Sequence, residues 1–133
     1  MSILLIDLGN TRLKWALAQS DTNHLSEDFD HQGSLPKGEV LSIVELCLNK
    51  TWAIEHIVCS SVISKEITAS IQSAFEKIFP NAGWHQINGA TLLEAITTSY
   101  TDAAQLGSDR RAMIIGAQAL HPNKNLLIVG LGT

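Results

Sequence analysis

The sequence predicts an α/β fold, a mixed β-sheet with helices packed on it. Short apolar runs separated by turn residues follow one another directly at the start of the chain, and from residue 39 onward helical and strand-like hydrophobic periods alternate. Strands in succession, then alternating helix and strand, give a sheet of mixed direction covered by helices. An apolar fraction of 45% over 133 residues supplies one buried core. No repeat or low-complexity linker divides the chain, which is expected to fold as one unit.

The first apolar run, residues 3–8, stops at Gly9-Asn10 and resumes at 13–18, the pattern of two strands joined by a tight turn. Residues 29–35, closed by Pro36-Lys37-Gly38, are expected to add a third strand. Val40, Ile43, Val44, Leu46 and Cys47 recur at helical spacing, and 54–62 returns to a strand pattern. A second amphipathic helix starts at Ser64, runs through Ile67, Ile71, Ala74, Phe75 and Ile78, and ends before Pro80-Asn81 and Gly83. Residues 84–87 form a short strand, 91–96 a helix and 99–107 a loop. Residues 110–120 are Ala-rich and helical until His121-Pro122-Asn123 stops them. Residues 126–129 are expected as a final buried strand in the middle of a sheet with 3–6 and 57–58. A chain that stops at Gly132-Thr133, directly after such a strand, is expected to be a piece of a longer one.

The formal net charge of −4 leaves no basic field to attract nucleic acid or anionic lipid. The N-terminus lacks the basic start and long apolar centre of a signal peptide, and no apolar run approaches the ~20 residues of a membrane span. A cytoplasmic protein without membrane or nucleic-acid partners is the expectation. Cys47 and Cys59 lack metal-ligand spacing and sit in apolar segments, as small buried side chains do. His24, His31, His56, His85 and His121 show no zinc-site spacing. Trp15, Trp52 and Trp84, without basic partners, read as core or interface residues.

Two stretches carry chemistry. In Asp7-Leu8-Gly9-Asn10-Thr11-Arg12-Leu13-Lys14 a carboxylate ends a strand, a Gly-Asn turn follows, and a lysine lies on the returning strand. Such a turn leaves backbone N–H groups to face an anion. In this reading Asp7 positions Mg²⁺, Asn10 and Thr11 contact phosphate oxygens, and Lys14 or Arg12 neutralises charge during transfer. An ordinary surface hairpin has the same turn residues. The second stretch is Gly107-Ser108-Asp109-Arg110 at the entry to the Ala-rich helix, preceded by Tyr100. A helix N-terminus favours anions, so an acid and a base there suit a polar substrate. Ser108 or Asp109 as a simple N-cap, with Arg110 solvated, is the plainer alternative.

The first stretch resembles the leading phosphate motif of the acetate and sugar kinase, heat-shock chaperone and actin superfamily. Asp-x-Gly-Asn-Thr with a following lysine, this close to the N-terminus, is similar to the type III pantothenate kinases in particular. The resemblance implies a ribonuclease H-like (actin-like ATPase) domain and, for residues 1–133, the N-terminal half of a two-domain kinase whose C-terminal domain is absent. It implies ATP-dependent phosphorylation of pantothenate, the first step of coenzyme A biosynthesis, with Mg²⁺ and a monovalent cation (K⁺ or NH₄⁺), in a homodimer. Asp7, Gly9, Asn10, Thr11, Lys14, Gly132 and Thr133 would then hold the nucleotide. Asp109 would be the general base, and Tyr100, Gly107, Ser108 and Arg110 would join it in binding pantothenate. Cys59-Ser60-Ser61-Val62 is similar to a family strand end whose small hydroxyls line the cleft. The chain departs from the pattern at Ala103 (usually proline), Arg111 (usually tryptophan) and Gly130, where the second phosphate motif has an acid. A non-catalytic regulatory protein on the same fold, of the transcriptional-activator kind, is the alternative; the joint presence of Asp7, Lys14, Asp109 and Arg110 weighs against it.

Overall fold

In the computed structural model, which describes residues 1–21, 24–25, 31–87, 96–102 and 105–130, strand β1 (Ser2–Leu8) buries alternate residues. Leu4, Ile6 and Leu8 face the core while Asp7 is exposed, the two-residue period of a pleated strand. β2 (Arg12–Asp21) returns antiparallel, with Leu8 opposite Leu13 and Ile6 opposite Trp15. β4 (His31–Pro36) pairs antiparallel with β2 over residues 12–17, and the short β3 (His24–Leu25) pairs with Ser20 and Asp21. The expected third strand is thus present at 31–36; Phe29 lies outside the described residues.

β5 (His56–Ser61) runs parallel to β1, with Leu4 opposite Ile57 and Ile6 opposite Cys59. Parallel neighbours need a crossover, and α1 (Ser42–Asn49) lies on it. α2 (Lys65–Ile78) then leads to β6 (Gly83–Ile87). The sheet order is β3-β2-β1-β5-β6, with β4 also on β2.

Burial rather than propensity holds these helices in place. α1 buries Ile43, Val44 and Cys47, and α2 buries Ile71 and Phe75. β-branched residues cost a helix at most about 0.7 kcal/mol each, whereas burying such a side chain contributes about 1.5–3 kcal/mol. They join Leu4, Ile6, Leu8, Leu13, Leu17, Ile54, Ile57 and Cys59 in one apolar cluster. Ser64 caps α2 by accepting from Ile67 N at 3.4 Å. α1 ends with Thr51 at φ 54°, where Thr51 N donates to Leu48 O and Trp52 N to Cys47 O. This is a Schellman ending with threonine in the place that glycine usually takes.

The chain divides into two compact units, Met1–Gln86 and Ile87–Thr133. The sheet, α1 and α2 make up the first. The second contains α3 (Ser108–Leu120), whose N-cap is Gly107; Leu106 and Arg111 are its buried side chains among the described residues. Of the expected 91–96 helix, residues 91–95 lie outside the described residues, and Ile96 is not helical.

The expected final strand at 126–129 is not formed. Leu126, Leu127, Ile128 and Val129 are exposed, Leu127 at 92%, and carry no strand pairing. The reason lies in the sheet order: both edges of β1 are taken, by β2 and β5, and β5 is flanked by β1 and β6. No central place remains for the segment, and an apolar run marks a strand only where a neighbouring strand can pair with its backbone. No helix among the described residues is long and apolar enough to cross a membrane.

Candidate functional site

The β1–β2 turn is built from Gly9, Asn10 and Thr11, closed by Gly9 N donating to Arg12 O at 3.0 Å. Glycine suits the close approach here: a Cβ at Gly9 would lie 3.1 Å from Arg12 O, and the backbone would have to give by a few tenths of an ångström to admit it. The expectation of free turn N–H groups is therefore corrected at Gly9, whose donor is committed to the turn. Among the described residues the N–H groups of Asn10 and Thr11 carry no such bond, and both residues are exposed.

Strand register assembles a polar row beside the turn. Asp7 stands opposite Lys14 on β2 and opposite Ser60 on β5, and Lys14 stands opposite Ser34 on β4. Directly opposed residues share a face, so Ser34, Lys14, Asp7 and Ser60 cross the sheet in one line. The core lies on the other face, with Leu8, Leu13 and Leu35 in the adjacent row. Asp7 and Lys14 are both exposed and form no hydrogen bond or ion pair among the described residues.

The cations differ. Arg12 donates through Nη2 and Nε to Ser34 Oγ, at 2.8 and 3.2 Å, which ties its guanidinium down on β4. Lys14 remains available. The hydroxyls at the end of β5 also divide: Ser61 Oγ lies 2.8 Å from Thr68 Oγ1 and accepts from Ile63 N, anchoring α2, while Ser60 belongs to the row with Asp7. Cys59 is buried in the core, and desolvation, then the Asp7 carboxylate, push its thiol up to about 12. Desolvation pushes the Cys47 thiol up to about 12 as well.

In the second unit Gly107 caps α3, so neither Ser108 nor Asp109 is the N-cap that the plainer reading makes it; both lie in the first turn. A Cβ on residue 107 would fall 2.6 Å from Asp109 Oδ1. The carboxylate is thus folded back over the glycine toward the helix N-terminus. Asp109 and Arg110 are exposed, as is Tyr100. Arg111 is buried and donates from Nε to Leu106 O at 2.6 Å, which fixes the loop to the helix. Gly130 lies against Met113, whose Cε would be 3.1 Å from a Cβ. Gly132 and Thr133, with Ala103, lie outside the described residues.

Sequence reasoning missed Ser34, which restrains Arg12, and Ser60 as a neighbour of Asp7. Both follow from strand register, which neither local pattern carries. It also missed the burial of Arg111, for which a charged side chain gives no signal.

A sequence model described as type III pantothenate kinase matches residues 3–133. A protein of Paraburkholderia phymatum named type III pantothenate kinase is 37% identical, over 98% of this chain and 46% of its own length. One of Burkholderia mallei with the same name is 31% identical, over 98% of this chain and 47% of its own. The chain therefore spans about half the length of the curated relatives it matches. Among solved structures, RuvC of Thermus thermophilus superposes with a TM-score of 0.50 at 11% identity, over 96% of this chain and 85% of that one. That likeness concerns the fold alone, which is ribonuclease H-like.

Proposed function

Since the chain belongs to the type III pantothenate kinase family, we propose that it is the N-terminal domain of a two-domain kinase that phosphorylates pantothenate with ATP, opening coenzyme A synthesis. The observation that carries this reading is the exposed, unpaired Asp7–Lys14 couple beside a turn with free N–H donors. A regulatory protein would have no need of it.

Asp7 would hold Mg²⁺ directly or through water. The fit is chemical: Mg²⁺ takes one or two protein carboxylates and fills its shell with water and phosphate oxygens, and Asp7 is the acid that the turn offers. The bound ion would neutralise phosphate charge. The N–H groups of Asn10 and Thr11 would bind phosphate oxygens, with Gly132 and Thr133 as further contacts, while the Lys14 ammonium stabilises charge on the transferred group. Asp109 would accept the proton of the pantothenate hydroxyl, and Arg110 and Tyr100 would hold the acceptor, Arg110 through its carboxylate. K⁺ or NH₄⁺ would have to bind without an acid at residue 130. A cytoplasmic homodimer completes the reading.

The test is an ADP-release assay on the full-length protein, with and without pantothenate. Pantothenate-dependent turnover is expected; its absence would sustain the non-catalytic alternative.

A further inference from the structure

His56 on β5 and His85 on β6 are 29 residues apart in sequence, with α2 between them, yet His56 Nδ1 lies 3.1 Å from His85 Nε2. The ring centroids are 5.3 Å apart. Gly83 borders the pair: a Cβ there would sit 3.0 Å from His56 Nδ1 and 3.1 Å from His85 Nε2. Its backbone is pinned by Gly83 N donating to Glu55 O at 2.9 Å. A residue without a side chain therefore keeps open the space into which two imidazole nitrogens converge. His85 is exposed and His56 half-buried, so solvent reaches the pair.

We infer that His56 and His85 form a two-imidazole binding site for a divalent first-row transition metal ion, separate from the phosphate turn. With metal–nitrogen bonds of about 2.0–2.1 Å, a nitrogen separation of 3.1 Å corresponds to a bite angle of about 95–100°. That lies between the ~90° of square-planar or octahedral sites and the ~109° of tetrahedral ones. Each ring would carry its proton on the far nitrogen and give the near lone pair to the ion. Water would complete the shell, since no group of three or more ligand-type side chains occurs among the described residues. Imidazole suits Ni²⁺, Cu²⁺ and Zn²⁺, whereas Mg²⁺ takes oxygen ligands. A bound ion would tie β6 to β5.

Ni²⁺ titrated calorimetrically into the 133-residue chain should bind with one equivalent, reversed by chelator. Hydrogen-bond partners of a ligating histidine alone change metal affinity ~10–100-fold, so His85→Ala or His56→Gln should weaken binding at least about tenfold. Gly83→Ala keeps both imidazoles and should weaken it too, by filling the space, while His31→Ala and His121→Ala should not. Unchanged affinity in His85→Ala, or equal loss in His31→Ala, overturns the site. A measurement on the parent chain needs no variant: Zn²⁺ should shift the imidazole NMR signals of His56 and His85 first. Saturation without such shifts overturns the assignment whatever the variants do.

Discussion

Asp7 and Lys14 face each other across the β1–β2 pair without forming an ion pair. A cross-strand pair of opposite charges contributes about 0.2–1 kcal/mol to a sheet, and exposed substitutions usually move stability by no more than about 0.5 kcal/mol. A structural role would therefore leave a small trace. A lysine aimed at transferred phosphate is worth about 10²–10³ in turnover. On the proposed kinase reading, Lys14→Met in the full-length protein should lower kcat on that scale while shifting the denaturation midpoint little. Loss of stability without loss of turnover would return the pair to the sheet.

With Asp109 in its proposed role as general base, Asp109→Asn should lower turnover by about two to four orders of magnitude with folding intact, because a general base contributes on that scale. Gly107→Ala supplies an independent check, since the new methyl would meet Asp109 Oδ1 at 2.6 Å and swing the carboxylate away. Both variants should lose kcat, and Arg110→Ala should mainly raise the pantothenate KM, as loss of a charge-assisted contact does. Full activity in Gly107→Ala would show that the folded-back position of Asp109 is immaterial to catalysis.

The legible parts of the fold were those written locally. The 3–8 and 13–18 runs, the Gly9-Asn10 turn and the Ser64 helix start each stand within a few residues of the feature they encode, and each is present. The 126–129 run misled because apolar composition reports a demand for burial and says nothing about which strand edge is free. Likewise the motif residues could be read from spacing, but Ser34 and Ser60 come beside Lys14 and Asp7 only through long-range register. His56 and His85 meet for the same reason, across a whole helix.

Thr51 holds a left-handed conformation, φ 54°, at the end of α1. A β-branched residue there costs roughly 1–2 kcal/mol, partly offset by its Oγ1 donating to Lys50 O at 2.7 Å. Glycine would remove the steric cost but bring more freedom to the unfolded chain, which returns up to about 1 kcal/mol. Thr51→Gly should therefore stabilise the chain by at most about 1 kcal/mol, read as a higher urea midpoint at unchanged slope. A lower midpoint would mean that the Oγ1 bond outweighs the backbone strain.

The buried thiols make stability depend on pH in the alkaline range. Desolvation raises Cys47 and Cys59 from 9.0 to about 12, with Asp7 adding to the shift at Cys59. Because the native values are raised, the stabilisation is fully present below pH 9, where both states keep their protons. Between pH 9 and about 12 the unfolded chain releases protons that the native chain retains, so stability falls as pH rises. The slope is at most ~1.4 kcal/mol per pH unit for each thiol. Urea midpoints under reducing conditions should therefore drop from pH 9 to 11, and the drop should shrink in Cys47→Ala/Cys59→Ala, whose thiols no longer titrate. Thiolate being the nucleophile, a thiol reagent at pH 8 should label neither cysteine until the chain unfolds. Rapid labelling of the folded chain, or an alkaline drop identical in the double variant, would show that the thiols are not protected by burial.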